Sequence, residues 1–431
     1  MIVLYSLLSL LFLLFSGLHV CLLFKKSELN HLSLCLGAMA LSGLLLTYLL
    51  WLILQDFTSV FWSILIINFL SLLFIFRKMK LLDYRLQPQS YIYIAMSILF
   101  LLLCVAMPIL DWDARSIWFF HAKALYFSEG NIFISGLDNL AYIPAHPHYP
   151  KLYSSVAGFY SYLFQTWNDY FPKIASALFL MPVLLILHSF RDRKFFWLLV
   201  IGLLGMSGKY LWNGYLDGFI AIYLSLALLI YYQKLDAKLN IVIISLLMAI
   251  CMNLKTEGFV LVAIGVFSVL LLDFKRGLKV LKSKMAWLFI LSALLCSFLW
   301  RLIKQKMQLR GYFNATDMLS DMMRRFSEPS EISYILTSLL KENAYYYILA
   351  ICFFVILKKY KKEIQAWYLP FSATVYFMIL FFIYMSSPYN LSMHLDHSVV
   401  RVSFVIKSLL FLWVYIHFTK NTDLFFLKRK D

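Results

Sequence analysis

The chain has 431 residues, of which 62% are hydrophobic, 18% aromatic and only 14% charged, and its mean hydropathy is +0.79. That balance lies far outside the range of soluble globular domains, leaves no soluble domain of ordinary size, and indicates a multi-span membrane protein. The formal charge of +17 does not point to nucleic acid, because Lys and Arg fall in short clusters between apolar runs, as they do in cytoplasmic loops.

A helix of about 20 residues crosses the hydrocarbon core. On that ruler thirteen spans are predicted, near residues 2–24, 31–54, 58–76, 91–110, 172–190, 195–211, 215–232, 240–254, 258–274, 286–301, 344–357, 366–385 and 402–418. The first lacks a basic n-region, is longer than a signal-peptide core and is followed by Lys25 and Lys26, so it is expected to remain as a helix. Thirteen crossings with an external N-terminus leave the C-terminus cytoplasmic. The loops then assigned to the cytoplasm hold Lys25–Lys26, Arg77–Arg85, Arg191–Lys194, Lys234–Lys238, Lys275–Lys284, Lys358–Lys362 and Lys420–Lys430, which together carry 24 of the 39 basic residues. Of the 22 acids, 14 fall outside or at outer span ends, and this asymmetry supports the orientation.

The apolar stretch Leu152–Phe164 is not counted as a crossing, since counting it would invert every later loop; it is expected to be an interfacial or re-entrant helix. Asp111–Phe171 then becomes a large external loop. In a second external segment, Leu302–Asn343, the pairs Met318-Leu319 and Met322-Met323, followed by Phe326, recur at helical spacing beside Arg324-Arg325, which suits a helix lying on the membrane. Sequons at Asn314 and Asn390 are both external on this topology. The six cysteines lie inside apolar runs without CxxC spacing and are expected to be small core residues. His19, His31, His188 and His417, in or beside spans, are expected to be structural.

Folding the topology back gathers polar residues from five segments on the outer face: Asp111, Asp113, Arg115, His121, Lys123, His146, His148, Asp217, Lys255, Glu257, His394, Asp396, His397 and Arg401. Acids at span ends avoid the cost of burying charge at mid-bilayer, about 2.5–3.5 kcal/mol on insertion scales. A transporter is expected to place ionisable groups or broken helices near mid-span, so the pattern favours chemistry at the interface.

The segments that carry these residues are WDARSIWFFHAKAL, HPHYP, NGYLDGFIAIYL, LKTEG and LSMHLDHSVVRVS. In their order and sidedness they resemble bacterial members of the GT-C superfamily, integral-membrane glycosyltransferases related to the lipid A aminoarabinose transferase and the protein O-mannosyltransferases. The resemblance covers residues 91–418, including the external loop 111–171; residues 1–90 look like additional N-terminal membrane helices and 419–431 a cytoplasmic tail. It implies an all-α, GT-C type fold. It also implies transfer of a sugar from a polyprenyl-phosphate donor to an envelope glycan or lipid acceptor outside the cytoplasmic membrane of a bacterium. Membrane lipids are the other expected partner. No cofactor or metal is expected, although a divalent ion is compatible with the chemistry. The alternative classes are a polysaccharide polymerase or ligase and a lipid-linked glycan flippase or transporter.

An attacking hydroxyl must lose a proton to a base within hydrogen-bond reach, and the phosphate leaving group gains negative charge that cations stabilise. Asp113 is the first candidate for the base and Asp111 the second; either also suits a helix cap. Arg115, His121 and Lys123 suit the donor phosphate or lipid headgroups. His146 and His148 suit phosphate, a metal, or simple bracing of a proline-stiffened loop. Asp217 matches a second acid of the family and equally an N-cap. Lys255 and Glu257 suit donor phosphate and sugar hydroxyls, or each other. Where the family has Leu-Asp-Arg before its last span, this chain has Leu395-Asp396-His397, with Arg401 one helical turn beyond and His394 just before. Trp112, Trp118, Tyr149 and Trp212 are candidates for stacking on sugar.

Overall fold

The structure, a computed structural model, describes residues 1–24, 28, 31–75, 88–233, 238–309 and 315–421, and over these the chain is helical with no strand. In chain order the helices are α1 (Ile2–Ser16), α2 (Leu32–Leu54), α3 (Phe57–Ile75), α4 (Pro88–Ala106), α5 (Phe119–Phe127), α6 (Leu152–Leu163), α7 (Ile174–His188), α8 (Phe196–Ser207) and α9 (Asp217–Tyr232). They continue with α10 (Lys238–Leu254), α11 (Thr256–Leu272), α12 (Phe274–Leu281), α13 (Lys284–Lys306), α14 (Ala315–Phe326), α15 (Pro329–Lys359), α16 (Tyr368–Met385), α17 (Leu391–Val402) and α18 (Phe404–Lys420). The composition dictates this architecture, because in hydrocarbon every backbone donor and acceptor must be satisfied internally, which a helix does within its own segment.

Among the described residues, eight helical stretches are long and apolar enough to cross a membrane: Ile2–Leu23, Leu32–Leu54, Phe57–Phe74, Phe171–His188, Lys284–Lys306, Pro329–Lys359, Tyr368–Met385 and Leu391–Lys420. Five further apolar helices, Tyr91–Ala106, Phe196–Leu211, Asp217–Tyr232, Lys238–Leu254 and Thr256–Leu272, are shorter, at 10–17 residues. Each corresponds to one of the apolar segments read from the sequence. The predicted Lys25–Lys26 and Arg77–Arg85 clusters, Lys234, the Asn314 sequon and the basic tail past Asn421 lie outside the described residues.

The chain divides into two units. The first comprises Met1–Asp192, Lys209–Val260 and Val280–Tyr312. Its core is built on α2, whose Tyr48 and Trp51 are fully buried, packed against α7 and α10. Buried Asn253 ties α10 to α13, donating to Ala293 O at 3.3 Å and accepting from Ser297 Oγ at 3.2 Å. Between α4 and α7 the chain makes a closed excursion. Ile109 N donates to Asp169 O at 2.8 Å, and Lys173 Nζ to Met107 O at 3.0 Å. The segment therefore returns to the place it left, with no net crossing.

Of the two expectations for Leu152–Phe164, interfacial or re-entrant, the structure disfavours the interfacial one. All of Leu152–Ser161 in α6 is buried, and the helix packs on α2, α5, α7 and α10. Two of its polar side chains find partners inside the unit: Tyr153 OH pairs with Ser176 Oγ at 2.6 Å, and Ser154 Oγ donates to Trp118 O at 2.8 Å. A second tie joins the excursion to the α2–α3 turn, where Trp51 Nε1 donates to Gly130 O at 2.7 Å and Phe57 N to Glu129 O at 2.8 Å.

The second unit comprises Arg193–Gly208, Leu261–Lys279 and Phe313–Asp431. The segment expected to be external up to Asn343 includes the start of α15, one continuous helix of 31 residues from Pro329. Charged residues at its start do not break it, since Glu and Lys are good helix formers. Glu342 on α15 accepts from Lys407 Nζ on α18 at 2.9 Å, and Asn343 Nδ2 donates to Ser403 Oγ at 2.9 Å. α14 is amphipathic as predicted, with Leu319, Met323 and Phe326 exposed. Its two arginines differ, however: Arg324 is exposed among Asp321, Glu328 and Glu331, whereas Arg325 is 2% exposed and donates to Tyr384 O, Met385 O and Tyr389 O at 2.6–3.2 Å. Arg325 thus caps the end of α16 rather than facing a membrane, its guanidinium fork matching several carbonyls at once.

Candidate functional site

The residues that converge belong to the first unit. Asp113 opens a single π-helical turn, Ala114–Trp118, that runs into α5. Such wide turns are uncommon and recur at functional sites. Asp113 makes no side-chain cap bond, so the capping alternative is not the one adopted there. The Asn213-Gly214-Tyr215 turn that leads into α9 packs directly on this segment. Gly214 has φ +90°, and a Cβ on it would lie 2.7 Å from Phe119 Cε2 and 3.0 Å from the Ala114 Cβ. Glycine there serves both the left-handed backbone and the close approach that brings the start of α9 to the Asp113 turn.

Asp217 is the first residue of α9 and is also uncapped; its carboxylate is turned toward another turn. Lys255, between α10 and α11, donates to Asp217 Oδ1 at 3.0 Å and pairs with Glu257 Oε1 at 3.1 Å, with side-chain exposures of 12% for Lys255, 10% for Asp217 and 34% for Glu257. One cation thus bridges two carboxylates. The α10–α11 turn is tight because a Cβ at Gly258 would lie 1.9 Å from Cys251 O. The carboxylates of Asp217 and Glu257 also sit in the first turns of α9 and α11, where the helix dipoles favour negative charge.

The His146–Tyr149 loop completes the group. His146 takes a left-handed backbone, φ +52°, and its ring stacks on Tyr149 at 4.9 Å, with Trp118 stacked on Tyr149 at 5.7 Å. His148 meets Tyr149 edge-on at 4.8 Å and accepts at its backbone oxygen from Trp300 Nε1 at 3.2 Å. Burial holds His146 below the usual histidine range, Lys255 lowers it further, and Asp113 and Glu257 oppose them. Burial raises the Tyr149 phenol, and the charges that act on it are Glu257, Lys255, Asp113 and Asp217. The same four charges act on one phenol, which defines a single polar cluster.

Three expectations change in this light, at His121, Trp118 and Tyr149; Asp111 is a charge that acts on Lys173. His121 is completely buried, with Nδ1 paired to Lys151 Nζ at 3.1 Å, and burial drives it well below its ordinary value. A neutral, enclosed imidazole supplies no positive charge to a phosphate. Trp118, 2% exposed, and Tyr149, held between Trp118 and His146, have no free face for sugar, whereas Trp112 is 58% exposed. Trp212 rests against Phe100 at 6.1 Å. Arg115 and Lys123 are exposed on the same segment. Among the described residues no three His, Cys, Asp or Glu side chains converge as a metal-holding group.

In the second unit, His394 Nδ1 pairs with Ser387 Oγ at 2.7 Å, and its ring lies beside Tyr384 and Tyr389. Asp396 and His397 are exposed on α17, and Arg401 Nε donates to His397 O at 3.1 Å, so the last two sit on consecutive turns of one face. Three of the four histidines expected to be structural are paired, His19 with Ser42, His188 with Ser33 and His417 with Gln365, whereas His31 is exposed at the start of α2.

Lys151 is the residue that the sequence pattern does not mark. It is completely buried and donates to Pro147 O at 2.7 Å and Tyr149 O at 3.1 Å, with its ammonium position 5.1 Å from the Trp300 ring. One signal was present: a lysine at the N-cap of an apolar helix opposes the helix dipole and so requires another reason for its place.

Fold and cluster together define a helical, multi-pass membrane protein with a polar site at the ends of its apolar helices. No protein-family model, curated protein or solved structure matches the chain.

Proposed function

We propose that this protein is a membrane glycosyltransferase of GT-C type with thirteen spans, moving a sugar from a polyprenyl-phosphate donor to an envelope glycan or lipid on the external face of the cytoplasmic membrane. The observation that supports this most is that Lys255 bridges Asp217 and Glu257 while these charges and Asp113 all act on the His146–Tyr149 loop. Carboxylates gathered at the ends of apolar helices are placed where a lipid-borne substrate presents its headgroup. In this reading Asp113 accepts the proton of the acceptor hydroxyl as that oxygen bonds to the anomeric carbon, and the bond from that carbon to the phosphate oxygen breaks, its electron pair leaving with the polyprenyl phosphate.

Arg115 and Lys123, exposed on the segment that Asp113 opens, are assigned to the departing phosphate. Lys255 is already matched by two carboxylates. Its role is to hold Asp217 and Glu257 as acceptors for sugar hydroxyls, in place of a direct grip on phosphate.

The test compares envelope glycans by mass spectrometry in cells expressing the wild type, Asp113→Asn or Asp111→Asn at equal levels. Loss of a general base lowers the rate by about 10²–10⁴. A sugar mass added by the wild type, lost with Asp113→Asn and largely kept with Asp111→Asn, supports the reading. Retention in both variants overturns the assignment of the base, and redistribution of carrier-linked glycans without any added mass favours a transporter.

A further inference from the structure

Three groups outside the proposed chemistry stand out: the Glu342–Lys407 pair, the buried Arg325 of α14, and Lys151. The first two join helices within the second unit and explain themselves as packing. Lys151 does not, because besides His121 and the Trp300 ring its ammonium position meets two carbonyls of one short loop at the site.

An uncharged amine fits its surroundings. Two N–H groups serve Pro147 O and Tyr149 O, and the remaining contact is His121 Nδ1 at 3.1 Å, so every contact is with a neutral group. Burial and the charge of Lys304 lower the lysine well below its ordinary range, in agreement with that assignment. The two carbonyls flank His148, whose own carbonyl takes the Trp300 indole at 3.2 Å. Three successive carbonyls of the loop are therefore held from beneath. Above them Tyr149 is wedged between Trp118 and His146. Its ring is packed by Trp118, His146 and His148, and its hydroxyl bonds to no described residue.

We propose that Lys151 is a positioning residue: it clamps the His146–Tyr149 loop through its carbonyls and thereby presents the Tyr149 hydroxyl as a hydrogen-bond donor to an oxygen of the saccharide bound at the Asp113–Lys255 cluster. The saccharide part of this inference rests on the transferase reading; the clamp does not. The separation matters for the test.

The experiment places 3-fluorotyrosine at position 149 of the full chain in nanodiscs and records its fluorine resonance in the wild type, Lys151→Met and Lys151→Gln. Lys151→Met removes both donors and is expected to shift or broaden the resonance, and Lys151→Gln, which keeps N–H donors on a shorter arm, is expected to shift it less. Should Lys151→Met fail to fold, Lys151→Gln decides alone. An unchanged resonance in a folded variant overturns the clamp. In cells, Tyr149→Phe and Lys151→Met are each expected to lower the added sugar mass by about 100-fold, as a misplacement near 1 Å does, and the double variant is expected to be no worse than either single one. Full product from Tyr149→Phe, or additive losses in the double variant, overturns the link between the two residues. If the wild type adds no sugar, the transferase reading and the saccharide contact both fall, and the resonance still judges the clamp.

Discussion

Lys255 Nζ lies 3.0 Å from Asp217 Oδ1, joining the α10–α11 turn to the first residue of α9 across 38 positions of chain. With only 12% and 10% of the two side chains exposed, the pair is sheltered from the screening that makes surface ion pairs nearly worthless.

Breaking a sheltered pair by removing one partner leaves an uncompensated charge and costs about 3 kcal/mol or more. Lys255→Met abandons two carboxylates and is expected to lower the melting temperature in detergent most. Asp217→Asn leaves the Glu257 contact intact and should cost less. Glu257→Gln, at a side chain 34% exposed, should cost about 1 kcal/mol or less. Melting curves that rank Glu257→Gln as the worst of the three contradict the bridge geometry.

Stability should rise with pH above neutrality, through Lys151. Both Lys151 and His121 have folded values below their ordinary ones, 10.5 and 6.5, so the unfolded chain binds more protons, and stability increases with pH wherever that excess persists. The His121 contribution is complete above pH 6.5, whereas that of Lys151 continues upward toward 10.5. Each group adds at most about 1.4 kcal/mol per pH unit. Melting temperatures of the wild type should therefore climb between about pH 7 and pH 9, and the Lys151→Met curve should be flatter. Parallel curves for the two proteins refute a buried, deprotonated lysine.

Sidedness is open to direct labelling. The thirteen-span reading puts Asp138 and Asn390 outside and Asp192 and Lys361 inside. In a background without exposed Cys352, single cysteines at the first two positions should react with an impermeant maleimide on intact cells, and those at the last two only after permeabilisation. Equal labelling at positions 138 and 192 excludes a single crossing between them.

The helical, membrane-embedded class was legible from composition because bilayer length and backbone satisfaction leave so few solutions. Each predicted apolar segment matches one helix, and the refusal to count Leu152–Phe164 as a crossing agrees with the closed excursion seen between Ile109 and Asp169. Charge patterning also picked out Asp113, Asp217, Lys255 and Glu257, since acids are costly inside the bilayer and conspicuous where they gather. Hydropathy cannot report which polar atoms find partners, and so it missed the enclosure of α6, the burial of Arg325 and the clamp at Lys151.

The sequence by itself determined the class, the number of apolar segments and the short list of acids, all of which depend on local composition and length. The tertiary structure alone decided which of those residues meet. Asp111 and Asp113 are two positions apart, yet they act on different partners, Lys173 and the Tyr149 cluster. Lys255 and Asp217, 38 positions apart, are in contact. The physical reason is that pairing depends on side-chain direction and on close approaches such as Gly214 against Phe119, and neither is encoded in the local pattern of polar and apolar residues.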